Sequence, residues 1–154
     1  LTLLATTHGG DEAVPIPDET QQRIFDTPEN ATERERIRHR MEPALTDEFV
    51  EGNPETVEQI LDWRQAQDAG EVAREAQTGV GANFDVSGRV HQIELPTLVL
   101  HGTDDRVVPV ENGELIAEKL PNGRLERVEG APHMLMVERS REVNEHLRGF
   151  LAEH

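Results

Sequence analysis

The stretch "LPTLVLHGTDDRVVP", residues 95–109, decides the fold. Its first half is a continuous run of apolar, strand-forming residues, with no alternation of polar side chains. Such a strand is covered on both faces, as in a parallel sheet flanked by helices. It closes on His101-Gly102, and Asp104 and Asp105 follow. In open α/β sheets, sites form at the carboxyl ends of the strands, so these aspartates stand where chemistry collects. A second stretch, "RVEGAPHMLMVE" at 127–138, has the same layout. A strand over Arg124–Glu129 runs into a turn-prone loop that holds one histidine, His133. Between Asp105 and His133 the pattern allows one helix, 111–120, with Leu115, Ile116 and Leu120 on its buried side. Pro121-Asn122-Gly123 then makes a turn. One helix and one strand bring the two loops side by side. A histidine base needs an acceptor on its far nitrogen to fix its tautomer and stabilise its cation. Asp105 can supply that acceptor.

Outward from this pair, the alternation continues. Ser140 is expected to cap a last helix, with Val143, Leu147, Phe150 and Leu151 on its inner side. Leu1 to Thr7 reads as a short buried strand, and the glycines and prolines of HGGDEAVPIPDE read as loop. From 18 to about 82 the periodicity is helical. A first helix starts over Gln21 to Phe25. Thr32 and Glu35 fit a capping box, followed by Ile37, Met41 and Leu45. Asn53-Pro54 fits an N-cap with proline at the first helical position. Val57, Ile60, Leu61 and Arg64 then share a face, with Trp63 at its edge. A further helix over about 70–78 is expected to break at Gly79 and Gly81. The order is strand, helical insertion, strand, helix, strand, helix, which argues for an α/β parallel sheet with right-handed crossovers.

Composition narrows the function. Thirty-one acids face fifteen bases, for a formal net charge of −16, and Lys119 is the only lysine. A nucleic-acid partner would need the opposite sign. Dense carboxylates with almost no lysine resemble proteins of salt-accumulating, halophilic organisms. No apolar run has the length of a membrane span, and the chain starts without Met or a charged leader, so a cytoplasmic protein without a membrane partner is expected. Cysteine is absent, which excludes disulfides, thiolate catalysis and cysteine–zinc sites. The spacing of His101, Asp104, Asp105 and His133 matches no metal motif. No metal or other cofactor is expected.

"PTLVLHGTDDRVVP" resembles the acid-bearing strand P-T-L-V-[IL]-H-G-x-x-D-x-x-V-P of the α/β-hydrolase family, in its esterase, enol-lactonase and haloperoxidase-like branch. "GAPHMLMVE" is similar to that family's base motif, G-x-x-H followed by a Glu. "LTLLATTHGG" resembles the strand after the nucleophile helix, and "FDVSGRVHQIELP" the return from cap to sheet. The resemblance implies a partial α/β-hydrolase fold. Residues 1–10 would be a core strand and loop, 11–90 a helical cap, and 91–154 the C-terminal lobe carrying the triad acid and histidine. It puts the acid on Asp105, with Asp104 a capping or solvent-facing residue, and the base on His133. His101, at the strand end just before the glycine, reads as structural, with shaping of the site as the other reading. Phe25, Phe49, Trp63 and Phe84 are candidates to wall an acyl or ring pocket, with ordinary packing as the other reading. The substrate implied is a small carboxylic ester or lactone.

The family's nucleophile lies on a G-x-S-x-G elbow that precedes the acid and the histidine. The only serines are Ser87 and Ser140. The first lacks the leading glycine and a preceding buried strand, and the second caps a helix. His8-Gly9-Gly10 imitates an oxyanion-hole motif, but no elbow follows it, and it reads as loop. The nucleophile is therefore expected before residue 1, on a missing N-terminal lobe, and the chain alone is expected to be inactive. The alternatives are a non-catalytic binding or assembly module, or one chain of a two-chain hydrolase; the partner expected is the missing N-terminal lobe or a second copy of the chain (a homo-oligomer).

Overall fold

A computed structural model describes residues 1–26, 28–67 and 70–154. Three strands form one parallel sheet: β1 (Thr2–Leu4), β2 (Thr97–Gly102) and β3 (Gly123–Val128), in the order β1-β2-β3. Among the described residues, five α-helices lie between β1 and β2: α1 (Asp18–Phe25), α2 (Glu33–Met41), α3 (Asp47–Gly52), α4 (Pro54–Ala66) and α5 (Glu71–Ala82). Helix α6 (Glu111–Lys119) joins β2 to β3, and α7 (Leu135–Glu138) and α8 (Ser140–Glu153) follow.

Strand β2 is the centre. All six of its residues are buried. Leu98 and Leu100 point to one face and pack with Val128, Leu135, Val143 and Phe150, so α8 covers that side. Val99 points to the other face, against Val90, Ile116 and Leu120, so α6 covers the second side. This two-sided burial is why the strand has no polar alternation. A third apolar cluster belongs to the helical segment: Ile37, Met41, Leu45, Val57, Ile60 and Leu61, with Phe49 partly buried against it.

Most local signals act where they were read. Thr32 accepts from the Glu35 N–H while the Glu35 carboxylate accepts from the Thr32 N–H, a complete capping box. Four details differ. Gly79 and Gly81 lie inside α5 rather than ending it. Asn53 precedes α4 but makes no cap bond; its amide donates to the Phe49 carbonyl at 3.2 Å. Ser140 is the first residue of α8 and caps nothing. Leu151 is 68% exposed and Leu115 only half-buried, because Phe150 and Ile116 take the inward positions. In the first three cases a glycine or polar side chain is a weak local preference that helix continuation and packing outweigh.

Candidate active site

Asp105 sits one turn beyond the end of β2, with its side chain wholly buried. Its Oδ1 accepts the N–H groups of Val107 at 2.8 Å and Val108 at 2.7 Å, so the loop folds around its own carboxylate. Oδ2 faces two imidazoles. His133 Nδ1 is 2.9 Å away and His101 Nε2 is 3.3 Å away. Burial pushes the Asp105 carboxyl up. The hydrogen bonds from His101 and His133, the His133 charge and the Val108 N–H outweigh it and hold Asp105 below the ordinary aspartate value. The group is therefore a fixed anion at neutral pH.

His133 lies in the loop after β3, with its side chain 29% exposed. Nδ1 is the nitrogen engaged by Asp105, so Nε2 is the ring nitrogen left to exchange a proton. A base held in this way takes a proton on Nε2 while the carboxylate stabilises the cation.

The two loops are joined by main chain. Thr103 N–H donates to the Val128 carbonyl, Asp104 N–H to the Ala131 carbonyl, and Gly130 N–H to the Thr103 hydroxyl at 2.8 Å. Gly102 makes this approach possible: a Cβ there would lie 2.1 Å from the Ala131 carbonyl oxygen. Asp104 is exposed, and its carboxylate accepts from the Thr103 hydroxyl at 3.3 Å.

His101 is fully buried. Its Nε2 lies 2.9 Å from the Val108 carbonyl, which can only accept, so Nε2 carries the proton. Nδ1 has no partner and presses on Gly113, where a Cβ would come within 2.5 Å of it. The sequence marks His101 as a strand-end histidine. Its contact with the acid, and the need for glycine at 102 and 113, depend on distances between elements.

The four aromatics are dispersed. Phe49 packs on the helical cluster, while Phe25, Trp63 and Phe84 are 56%, 57% and 42% exposed. None of them lines the cavity of about 500 Å³ beside Asp105, whose walls include Pro17, Thr46, Thr103, Arg106 and Val110. Ser87 donates its hydroxyl to Asp85 at 2.7 Å, and Ser140 is exposed at the start of α8, so neither lies with the Asp105–His133 pair. The N–H of Gly9 bonds the Thr7 hydroxyl and that of Gly10 the Phe84 carbonyl, so neither is free to hold an oxyanion. Among the described residues, no group of three acidic or histidine side chains is placed to hold a metal ion. No helix among them is long and apolar enough to cross a membrane.

Comparison with known proteins adds a family. Residues 34–140 match the family model described as serine aminopeptidase, S33. A bifunctional esterase/perhydrolase of Acinetobacter calcoaceticus is 34% identical over 90 residues, 58% of this chain and 33% of that protein. A non-heme chloroperoxidase of Burkholderia pyrrocinia is 31% identical over 90 residues, 58% of this chain and 32% of its own length. The solved enol-lactonase of Burkholderia xenovorans superposes with a TM-score of 0.77 at 17% identity, over 98% of this chain and 55% of its own. At that identity the likeness is one of fold. The chain thus spans about a third of the curated relatives and about half of the solved one.

Proposed function

The chain belongs to the serine aminopeptidase S33 family of α/β-hydrolases, and from that premise we propose that Asp105 and His133 are the acid and base of a Ser-Asp-His triad. The observation that carries this reading is the 2.9 Å contact between His133 Nδ1 and a buried, fully hydrogen-bonded Asp105. The nucleophile is a serine supplied by polypeptide outside these 154 residues, because no elbow motif occurs within them. In the complete enzyme, His133 Nε2 takes the serine proton as the hydroxyl attacks a carbonyl carbon, and returns it to the leaving alcohol. Asp105 keeps the proton on Nδ1 and stabilises the imidazolium. The substrate is a small carboxylic ester or lactone. Residues 11–90 form the cap over it, and Pro17, Thr46 and Val110 beside Asp105 are the groups that would meet it.

The test is to express the complete reading frame containing these residues and to assay p-nitrophenyl acetate hydrolysis. Hydrolysis is expected, with a loss of about 10⁴- to 10⁶-fold in His133→Ala. The 154-residue chain alone is expected to be silent. Hydrolysis that survives His133→Ala would overturn the assignment. A complete frame with no G-x-S-x-G elbow would instead give the serine to a second chain, or make the protein a binding module.

A further inference from the structure

The Glu that follows the histidine in the base motif has no part in the proton transfers above. Its place in the structure gives it another role. Glu138, at the end of α7, accepts the Thr46 N–H at 2.6 Å on one oxygen and the Thr46 hydroxyl at 2.8 Å on the other. Two further bonds reach the same short stretch. Arg106, the residue after Asp105, donates to the Leu45 carbonyl at 2.6 Å and meets Asp47 at 3.2 Å. Met134, the residue after His133, donates its N–H to the Ala44 carbonyl at 2.9 Å. Positions 44 to 47 are thus held in turn by the histidine loop, the acid loop, α7 and the acid loop again. Apolar packing runs the same way: Met134 and Val137 pack on the cluster built around Leu45, which is wholly buried.

Loops at strand ends move more than the sheet that carries them. A carboxylate–imidazole bond of 2.9 Å survives only if both loops keep their separation. The main-chain bonds around Gly102 and Ala131 fix the near side of the two loops. The downstream side, where Arg106 and Met134 lie, is bonded to the helical segment. We propose that residues 44–47 are a strap that keeps the acid and histidine loops in register, and that Glu138 is a positioning residue for His133, acting through Thr46. The proposal rests on the triad reading of Asp105 and His133.

The chemistry of the link is specific. The Thr46 hydroxyl accepts the Phe49 N–H at 3.2 Å, so its single proton is given to Glu138. A carboxylate is the group that can accept two donors on its two oxygens with charge assistance. A glutamine in its place keeps one neutral oxygen for the Thr46 N–H, and its amide N–H₂ forces the hydroxyl bond to reverse, so the charge assistance is lost and the Thr46 proton has no acceptor there.

The experiment uses the complete polypeptide with Glu138→Gln, Thr46→Val, the double variant and Thr46→Ser. The readouts are kcat, KM and the low-field proton signal of the His133 Nδ1–H···Asp105 bond. Glu138→Gln and Thr46→Val are expected to lower kcat by up to about 100-fold with KM little changed, as for a small misplacement of a catalytic group. Both should weaken the low-field signal. The double variant should be no worse than either single one, because both remove one link, and Thr46→Ser should keep wild-type kcat. Unchanged kcat and signal in folded Glu138→Gln overturn the proposal, and so do additive losses. If Glu138→Gln does not fold, Arg106→Met cuts the strap at its other end, and the same two outcomes decide. If His133→Ala retains hydrolysis while Glu138→Gln still weakens the low-field signal, the triad reading falls and the strap stands.

Discussion

At the scale of single residues, the site depends on one anion and two missing side chains. Asp105 collects two backbone N–H groups and two imidazoles on a buried carboxylate. Its folded carboxyl titrates below the unfolded value of about 3.9. The unfolded chain therefore takes up the proton first, and the stability that Asp105 contributes is complete above that value and falls as pH drops through the folded one. Asp105→Asn removes the titrating group. Denaturant melts from neutral pH down to below 4 should show a shallower acid loss in the variant than in the wild type; parallel curves would contradict this account. Gly102 is the first missing side chain. A methyl group there meets a backbone oxygen at 2.1 Å, and backbone cannot rotate away as a side chain can. Gly102→Ala is expected to separate the two loops and cost about 1–3 kcal/mol of stability, the usual range for overpacking. Urea denaturation measures it, and an unchanged midpoint would show that the loops absorb the methyl group. Gly113 plays the same part toward His101.

At the scale of elements, the local signals differ in strength. The capping box at Thr32 forms because two partners satisfy each other's N–H groups, and this needs only four consecutive residues. Thr32→Ala is expected to cost about 1 kcal/mol. That loss should appear as a lower urea midpoint with an unchanged m-value, whereas no shift would mean that packing alone holds α2. Single residues read as stops or caps carried less. Gly79 and Gly81 each cost a helix interior only about 1 kcal/mol, so α5 runs through both. The central strand was legible because burial on both faces leaves a continuous apolar run. Helix α7 was not, since four residues carry no period.

At the scale of the whole molecule, acids exceed bases by two to one. The helical segment concentrates many of its arginines into bridges: Arg34 pairs with Glu58 and Asp62, Arg38 with Glu58 and Glu42, and Arg23 with Glu42. Exposed pairs of this kind contribute about 0–1 kcal/mol each and weaken in salt. The surplus of negative charge repels itself at every range, and salt screens that repulsion over about 8 Å at physiological strength. With a net charge of −16, the repulsion is the larger effect. The melting temperature is expected to rise by several degrees between dilute buffer and molar KCl. A fall would mean that the arginine bridges dominate. The family match and the superposition on an enol-lactonase agree with the layered α/β order at this scale.

The sequence by itself determined the parallel sheet, its two covering helices and the pairing of an acid loop with a histidine loop. Those features are written in runs and periods of neighbouring residues, which reflect which face of each element is buried. It also placed two aspartates and His133 at strand ends, because a strand end is a local event, while the resemblance singled out Asp105 from Asp104. Only the tertiary structure decided that His101 shares the acid, that Gly102 and Gly113 are demanded by close approach, and that residues 44–47 tie both loops together. Apart from the four-residue step from His101 to Asp105, those contacts span 12 to 92 positions of chain. No local pattern encodes the distance between two backbones, so it becomes visible only when the elements have packed.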